Sequence, residues 1–287
     1  MLPEFDLLMP RTLPEALHLL SESAPDVLPL AGGTNLVPDL RGGNCKPDTL
    51  VGVGGLDALR GIRRESDQIV VGSGVTIAEL LESEVIIKHG GVLRQAAEVF
   101  ANPLVRNRAT IGGNLGNASP AADAAPPLLV LDAEIELASN MGSRWVPLRD
   151  FFVHVCDTVC EPMELITAVR WPVPTSRTFG GFRKLSLRKS TAVSVVSVAV
   201  QVTFDGEGRC ENARIALGAV APTPIRAYQA EEILHSKALT PEVIDEATRL
   251  ACGAARCIGD VRSSAAYRER VIDVLMRRLL EEVGSQV

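Results

Sequence analysis

The chain has 287 residues, a formal net charge of −6, 46% hydrophobic and 22% charged residues, and only 4% aromatics. It is longer than one usual domain, and its composition is that of a globular chain with an aliphatic core. The missing basic block argues against nucleic acid, and the longest apolar run, Ala192–Val202, is broken by serines and too short for a membrane span of about 20 residues. In chain order, the opening Met1–Pro10 carries Glu4 and Asp6 and lacks the features of a secretory leader, so a cytoplasmic location is expected. Thr12-Leu-Pro-Glu15 has the capping-box pattern with an early Pro and predicts a helix over 12–22. Val27–Leu30, Asp48–Val53 and Gln68–Gly72 predict short strands. Thr76-Ile-Ala-Glu79 is a second capping box opening a short helix, and Val92–Phe100 predicts a helix stopped by Asn102-Pro103.

Thr110–Asp123 is rich in Gly, Asn, Ser, Ala and Pro and predicts loops and tight turns, with no regular element. Leu128–Leu137 returns to an apolar pattern whose alternation over Glu134–Leu137 predicts a strand, and Glu164–Trp171 predicts another. The breaker Pro172-Val-Pro174, followed by Thr175–Gly181, is the expected domain boundary. Beyond it come strands over Ala192–Phe204 and Asn212–Ala219, with an Asp205-Gly206 turn signal, then helices near 227–235, 241–256 and 264–283. The expected class is α+β: a two-lobed domain over 1–175 (lobes 1–56 and 57–175), then a small domain over 178–287 with an antiparallel sheet and helices.

Six cysteines are scattered. Cys156/Cys160 and Cys252/Cys257 are the only close pairs, spaced C-x3-C and C-x4-C, and the four histidines lack ligand spacing, so no metal site is expected. Reduced thiols fit a cytoplasmic chain.

Two glycine-rich segments stand out: Leu30-Ala-Gly-Gly-Thr-Asn35, and Thr110-Ile-Gly-Gly-Asn-Leu-Gly-Asn-Ala-Ser-Pro-Ala-Ala-Asp123. Adjacent glycines let backbone amides converge into an anion-binding nest and let a ligand approach the backbone closely. Thr34, Asn35, Thr110, Asn114 and Ser119 add neutral hydrogen-bonding groups, as a diphosphate site would need. Plain glycine-rich turns are the alternative, a weaker one for the second segment with its three glycines, two asparagines, serine and aspartate. Neither segment is a G-x-x-x-x-G-K-[ST] loop or a G-x-G-x-x-G fingerprint, which excludes the P-loop and Rossmann readings.

At these residues the chain resembles the FAD-binding subunits of the xanthine dehydrogenase and carbon monoxide dehydrogenase family, whose flavin fold is shared with vanillyl-alcohol oxidase and p-cresol methylhydroxylase. Both family motifs are complete, with Gly112 80 residues after Gly32. Asn102–Arg108 precedes the second motif as in relatives, and Ala219–Arg226 and Ser264–Arg268 resemble the family's C-terminal domain.

The resemblance implies FAD as cofactor. Pro29, Leu30, Ala31, Gly32, Gly33, Thr34, Asn35 and Leu36 would wrap its diphosphate, the amides of Ala31–Asn35 being the main donors. Thr110, Ile111, Gly112, Gly113 and Asn114 would form a second wall, with Ser119 nearby. Asp123 would accept from FAD hydroxyls or orient the loop. Phe100 would cover the isoalloxazine or sit in the core at a helix end, and Ile166 would pack on the other flavin face. Arg183 or Lys184 would place a cation near the flavin, unless these residues belong, with Arg188 and Lys189, to a solvated basic stretch. The compact stretch from Leu137 to Glu164, with only Cys156 and Cys160, implies no extra iron–sulfur cluster.

The resemblance also implies a division of labour, with no catalytic acid or base in this chain. A large molybdenum-cofactor subunit would oxidise the substrate, and a small subunit would relay electrons through [2Fe-2S] clusters. This chain's FAD would pass them to an external acceptor, within a dimer of heterotrimers. The alternative is a self-contained flavin oxidoreductase with its own small organic substrate. The third reading is a binding module whose loops hold another phosphate ligand.

Overall fold

The structure, a computed structural model, describes residues 2–175, 177–188 and 190–286. Ser176 of the expected boundary stretch, Lys189 of the basic stretch, and the end residues Met1 and Val287 lie outside the described residues.

The first lobe is a parallel sheet built from β1 (Asp6–Leu8), β2 (Val27–Leu30) and β3 (Thr49–Gly52) in the order β1-β3-β2, with α1 (Leu13–Ser23) and α2 (Leu36–Gly42) between strands. Thr12 caps α1 by accepting from the Glu15 amide at 3.3 Å, and the Glu15 carboxylate reaches back to the Arg11 amide at 2.7 Å. The buried stripe Ala16, Leu17 and Leu20 packs α1 on Val27 and Val51.

The second lobe holds an antiparallel sheet of β4 (Ile62–Glu65), β5 (Gln68–Gly72), β6 (Glu134–Ser139), β7 (Gly142–Pro147) and, after the hairpin β8 (Phe152–His154) and β9 (Asp157–Thr158), β10 (Leu165–Pro172). The order β4-β5-β10-β6-β7 puts the last strand in the middle. Between β5 and β6 run six short helices: α3 (Ile77–Glu82), α4 (Glu84–His89), α5 (Gly91–Glu98), α6 (Pro103–Arg106), α7 (Ile111–Gly116) and α8 (Ala125–Val130). Thr76 and Glu79 form the expected capping box on α3. Trp171, fully buried, donates its indole N–H to the His89 carbonyl at 3.2 Å, which satisfies its polar edge in an otherwise apolar core.

The C-terminal sheet pairs β11 (Thr178–Ser186), β12 (Ser194–Phe204), β13 (Cys210–Gly218) and β14 (Ile225–Arg226) in sequence order, followed by α9 (Tyr228–Leu234), α10 (Pro241–Ala254) and α11 (Ala265–Gly284). One face of this sheet, through Phe182, Ala199 and Ala216, joins the core of the second lobe. The other, through Val198, Val200 and Val202, packs on α9–α11. Both faces of β12 are therefore buried, Ala199 in one core and Val198, Val200 and Val202 in the other.

Two sequence expectations are corrected. The turn-rich segment contains a helix: α7 is capped by the Thr110 hydroxyl, which accepts from the Gly113 amide at 3.0 Å. The breaker stretch 175–181 runs into β11. Gly180 and Gly181 lie inside a strand because helices crowd both of its faces: an added Cβ would stand 2.7 Å from Val92 Cγ2 of α5 and 2.7 Å from Leu279 Cδ2 of α11, respectively.

Buried Arg268 fastens α11 to the sheet, donating to the carbonyls of Val195 (2.5 Å) and Ala219 (2.8 Å) and to Asp260 (2.8 Å). The Arg262 amide, the Arg268 guanidinium and the Ser263 amide hold the Asp260 carboxyl at about 2, below its ordinary 3.8. A depressed carboxyl adds stability that is complete above its unfolded value and is lost as pH falls through the folded one. The stability advantage of the wild type over Asp260→Asn should be constant near neutrality and shrink from about pH 4 to about pH 2 in denaturant titrations. An advantage that persists unchanged below that window would remove this role.

Candidate functional site

A cavity of 510 Å³ lies where both glycine-rich segments meet. Its lining brings together Pro29, Ala31, Gly32, Gly33, Thr34, Asn35 and Leu36 from the first segment and Thr110, Gly112, Gly113 and Asn114 from the second, with Phe100 and Ile166. Through Gly32 the first segment is pressed on Arg108 and Ala109, the residues that lead into the second. A Cβ there would stand 1.8 Å from the Arg108 carbonyl oxygen, so only glycine permits this approach. Gly112 is pressed in the same way on Ser73, with 2.5 Å to Cβ and 2.9 Å to the carbonyl oxygen.

The segments do different work. Among the described residues, the amides of Gly32, Gly33, Thr34 and Asn35 donate to no protein acceptor, and Gly33 turns the loop at φ +71°. Four consecutive free donors in a glycine turn form the nest expected for an anion. In the second segment the amides are already paired: Ile111 with the Val75 carbonyl, Gly112 with that of Ser73, Gly113 with the Thr110 hydroxyl, and Asn114 with the Thr110 carbonyl. Its glycines supply a smooth wall, not donors.

Six expected site residues do not line the cavity. Ile111 is fully buried in the core, and Leu30 packs beneath the loop, its Cδ1 3.3 Å from the Cβ position of Gly33. Ser119 accepts from the Ala121 amide at 3.3 Å. Asp123 accepts at both oxygens at 2.6 Å, from Lys184 Nζ and from the Ser194 hydroxyl. Burial pushes the Asp123 carboxyl up, while the Lys184 ammonium and the Ser194 hydroxyl pull it back. Arg183 pairs with Glu282 on α11 at 2.6 Å. Among the described residues no Lys or Arg lines the cavity.

The far wall was not anticipated. It is formed by Thr158–Leu165 with Ser73, Gly74, Gly116 and Asn117, and the thiols of Cys45, Cys156 and Cys160 also reach it. Glu164 on this wall makes a two-bond pair with Arg144 at 2.8 Å, and that guanidinium holds its carboxyl below the ordinary range. Burial, reinforced by Glu164, pushes the Cys160 thiol up to about 12. The Gly72-Ser-Gly74 spacing was the available signal, since a Cβ on Gly74 would meet the Leu59 carbonyl at 3.0 Å.

Residues 3–174 match the family described as the FAD binding domain in molybdopterin dehydrogenase, and residues 182–283 match the CO dehydrogenase flavoprotein C-terminal domain. The chain belongs to the FAD-binding medium subunits of the carbon monoxide and xanthine dehydrogenase family. This flavin subunit is 34% identical to the carbon monoxide dehydrogenase medium chain of Afipia carboxidovorans, over 98% of its own length and 97% of that chain. It is 30% identical to the xanthine dehydrogenase FAD-binding subunit of Escherichia coli O157:H7, over 94% and 93%. Its fold superposes on a chain of the crystal structure of cyanide-inactivated Cu,Mo-CO dehydrogenase with a TM-score of 0.96 at 33% identity, covering all of both chains. It is an oxidoreductase subunit with FAD as cofactor, and the amide nest of Gly32–Asn35 suits the diphosphate of that cofactor. Among the described residues no helix is long and apolar enough to cross a membrane, and no cluster of three or more His, Cys, Asp or Glu could hold a metal ion.

Proposed function

We propose that this flavin subunit is an electron outlet. In this reading, [2Fe-2S] clusters of a small partner subunit deliver electrons drawn from substrate at a large molybdenum subunit, and this chain hands them to an external acceptor. The assembly would be a dimer of heterotrimers in the cytoplasm. Residues 1–175 form the FAD-binding unit, and 178–287 the unit that supports it through the shared core of Phe182, Ala199 and Ala216.

The observation that carries the reading is the run of four free amides, Gly32–Asn35, in the wall of the cavity. Of the lining carboxylates, Glu164 is held low by Arg144 and Asp39 accepts from Asn44 at 3.1 Å, and burial raises the thiols of Cys45 and Cys160. Bound there, FAD supplies the capacity to take up one or two electrons. The chain's own residues bind and orient it. The amides of Ala31–Asn35 hold the diphosphate, Pro29 and Leu36 flank them, and Thr110 and Gly112–Asn114 shape the opposite wall. Phe100 and Ile166 exclude water from the two ring faces.

The purified chain should show absorbance bands near ~370 and ~450 nm, release FAD on denaturation and contain no iron. A colourless chain that stays colourless when mixed with FAD, alone and with its co-purified partners, would overturn the reading.

A further inference from the structure

The far wall of the cavity is irregular chain that is tied down from outside. Among the described residues, 159–164, between β9 and β10, belong to no strand or helix, yet Cys160, Glu161, Pro162 and Glu164 all line the cavity. The Val159 amide donates to the Phe151 carbonyl at 3.0 Å, and the Glu164 amide to the Glu161 carbonyl at 2.8 Å. The first bond secures the entrance of the segment, and the second closes a turn within it. Pro162 has no amide to offer.

One side chain fixes the segment as a whole. Arg144 stands on the edge strand β7, opposite Leu137 of β6, which in turn pairs with Ile166 of β10. Its Nε and Nη2 donate to the two carboxylate oxygens of Glu164 at 2.8 Å each, and Nη2 also donates to the Val159 carbonyl at 2.9 Å. Glu164 Oε2 accepts in addition from the Glu161 amide at 3.0 Å. A single guanidinium thus gathers the first residue, the last residue and the turn of the segment. Such a set of bonds needs a planar, forked donor, which an ammonium does not reproduce. The Glu164 side chain is 10% exposed and that of Arg144 48%, and among the described residues Arg144 is not part of the cavity lining. An ion pair with one partner so exposed adds little to global stability. Its effect is local: it orders a stretch that has no ladder of its own.

We propose that Arg144 is a positioning residue for the cofactor: acting through Glu164 and Val159, it holds segment 159–164 against bound FAD and so sets how slowly FAD leaves. The proposal rests on the reading of this cavity as the FAD site. The amides of Gly32–Asn35 supply bonds to the diphosphate, and the segment, which runs into Ile166, closes the same cavity. Without Arg144 the segment keeps only its entrance bond and its own turn, and it opens often enough to let the cofactor out.

The test follows FAD release from the FAD-loaded chain and its variants by flavin absorbance in timed ultrafiltrates, with thermal melts of the FAD-free chains alongside. Arg144→Met should release FAD about tenfold faster or more, as expected when charge-assisted bonds that order the wall are lost. Glu164→Gln, of the same volume, should release it faster too, and Arg144→Lys should fall between Arg144→Met and wild type. Arg170→Met removes a comparable ion pair of the same sheet, with Glu134 at 2.7 Å, away from the cavity, and should release FAD at the wild-type rate. Should Arg144→Met fail to fold, Glu164→Gln decides by the same readout. A wild type that takes up no FAD overturns the FAD-site reading, and this proposal with it. A wild type that retains FAD, with Arg144→Met and Glu164→Gln releasing it no faster, overturns the positioning role alone. So does faster release that Arg170→Met shows equally, or that a fall in the melting temperature of the FAD-free chain accounts for, since either marks a general loss of stability.

Discussion

Gly33→Val should abolish retention of FAD, while Gly43→Val should retain it. The two positions share a left-handed backbone, φ +71° and +72°. A branched side chain therefore meets a similar conformational penalty at both, about 1–2 kcal/mol. They differ in what the turn presents. Gly43 ends α2, with nothing within 4 Å of its Cβ position. Gly33 lies among the four free amides, and its Cβ would press on Leu30 and Val37 at 3.3 Å. Relief of that strain rotates the amides of Gly33 and Thr34 away from their common focus. Hydrogen bonds to a charged group contribute about 1.5–3 kcal/mol each, so losing two lowers affinity by about a hundredfold or more. Gly113→Val should also release FAD, because its Cβ would stand 2.9 Å from the Thr110 hydroxyl that caps α7. Equilibrium dialysis with FAD and a thermal melt on each variant separate binding from folding. Equal FAD affinity in wild type, Gly33→Val and Gly113→Val would sink the site assignment.

Lys184→Met should be among the most destabilising single changes in the chain. The Lys184 and Asp123 side chains are 5% and 9% exposed and 2.6 Å apart. Removing the ammonium leaves a carboxylate buried against Ser194 alone, which costs about 3–5 kcal/mol. Lys184 also donates to the Ala192 carbonyl at 3.2 Å, so the loop between β11 and β12 loosens as well. Adding Asp123→Asn to Lys184→Met removes the orphaned charge and should recover part of the loss, a coupling readable from a double-mutant cycle in urea. Additive single effects would show that the pair does not act as a unit.

Much of this fold was legible because its signals are local. Thr12, Thr76, Thr240 and Ser264 each precede a helix and cap it, and Pro241 sits in the first turn of α10 as its sequence implied. The first glycine segment was legible for the same reason: a positive φ and four free amides are properties of five or six consecutive residues. What escaped was set by distant partners. Gly180 and Gly181 read as part of the boundary stretch because the helices that crowd them, α5 and α11, lie far away in sequence. The amides of Ile111 and Gly112 looked free until β5 and its following turn supplied acceptors at Val75 and Ser73. Asp123 and Lys184 were each read toward the flavin, yet they bond each other at 2.6 Å, and no local pattern announces a pair 61 residues apart. The far wall, Thr158–Leu165, has no periodicity to read, and its place is fixed by the Arg144–Glu164 bonds across strands.

The raised thiols of that wall bear on the durability of the site. Reduced flavin that meets dioxygen yields peroxide, and peroxide attacks cysteine as thiolate. With its acidity pushed to about 12, the Cys160 thiol is ionised in only about one molecule in 100,000 at pH 7. Cys45 is shifted the same way by burial and by Asp39. Cys45 and Cys160 are thus kept beside a source of oxidant in their less reactive, protonated form and should resist oxidation during turnover in air.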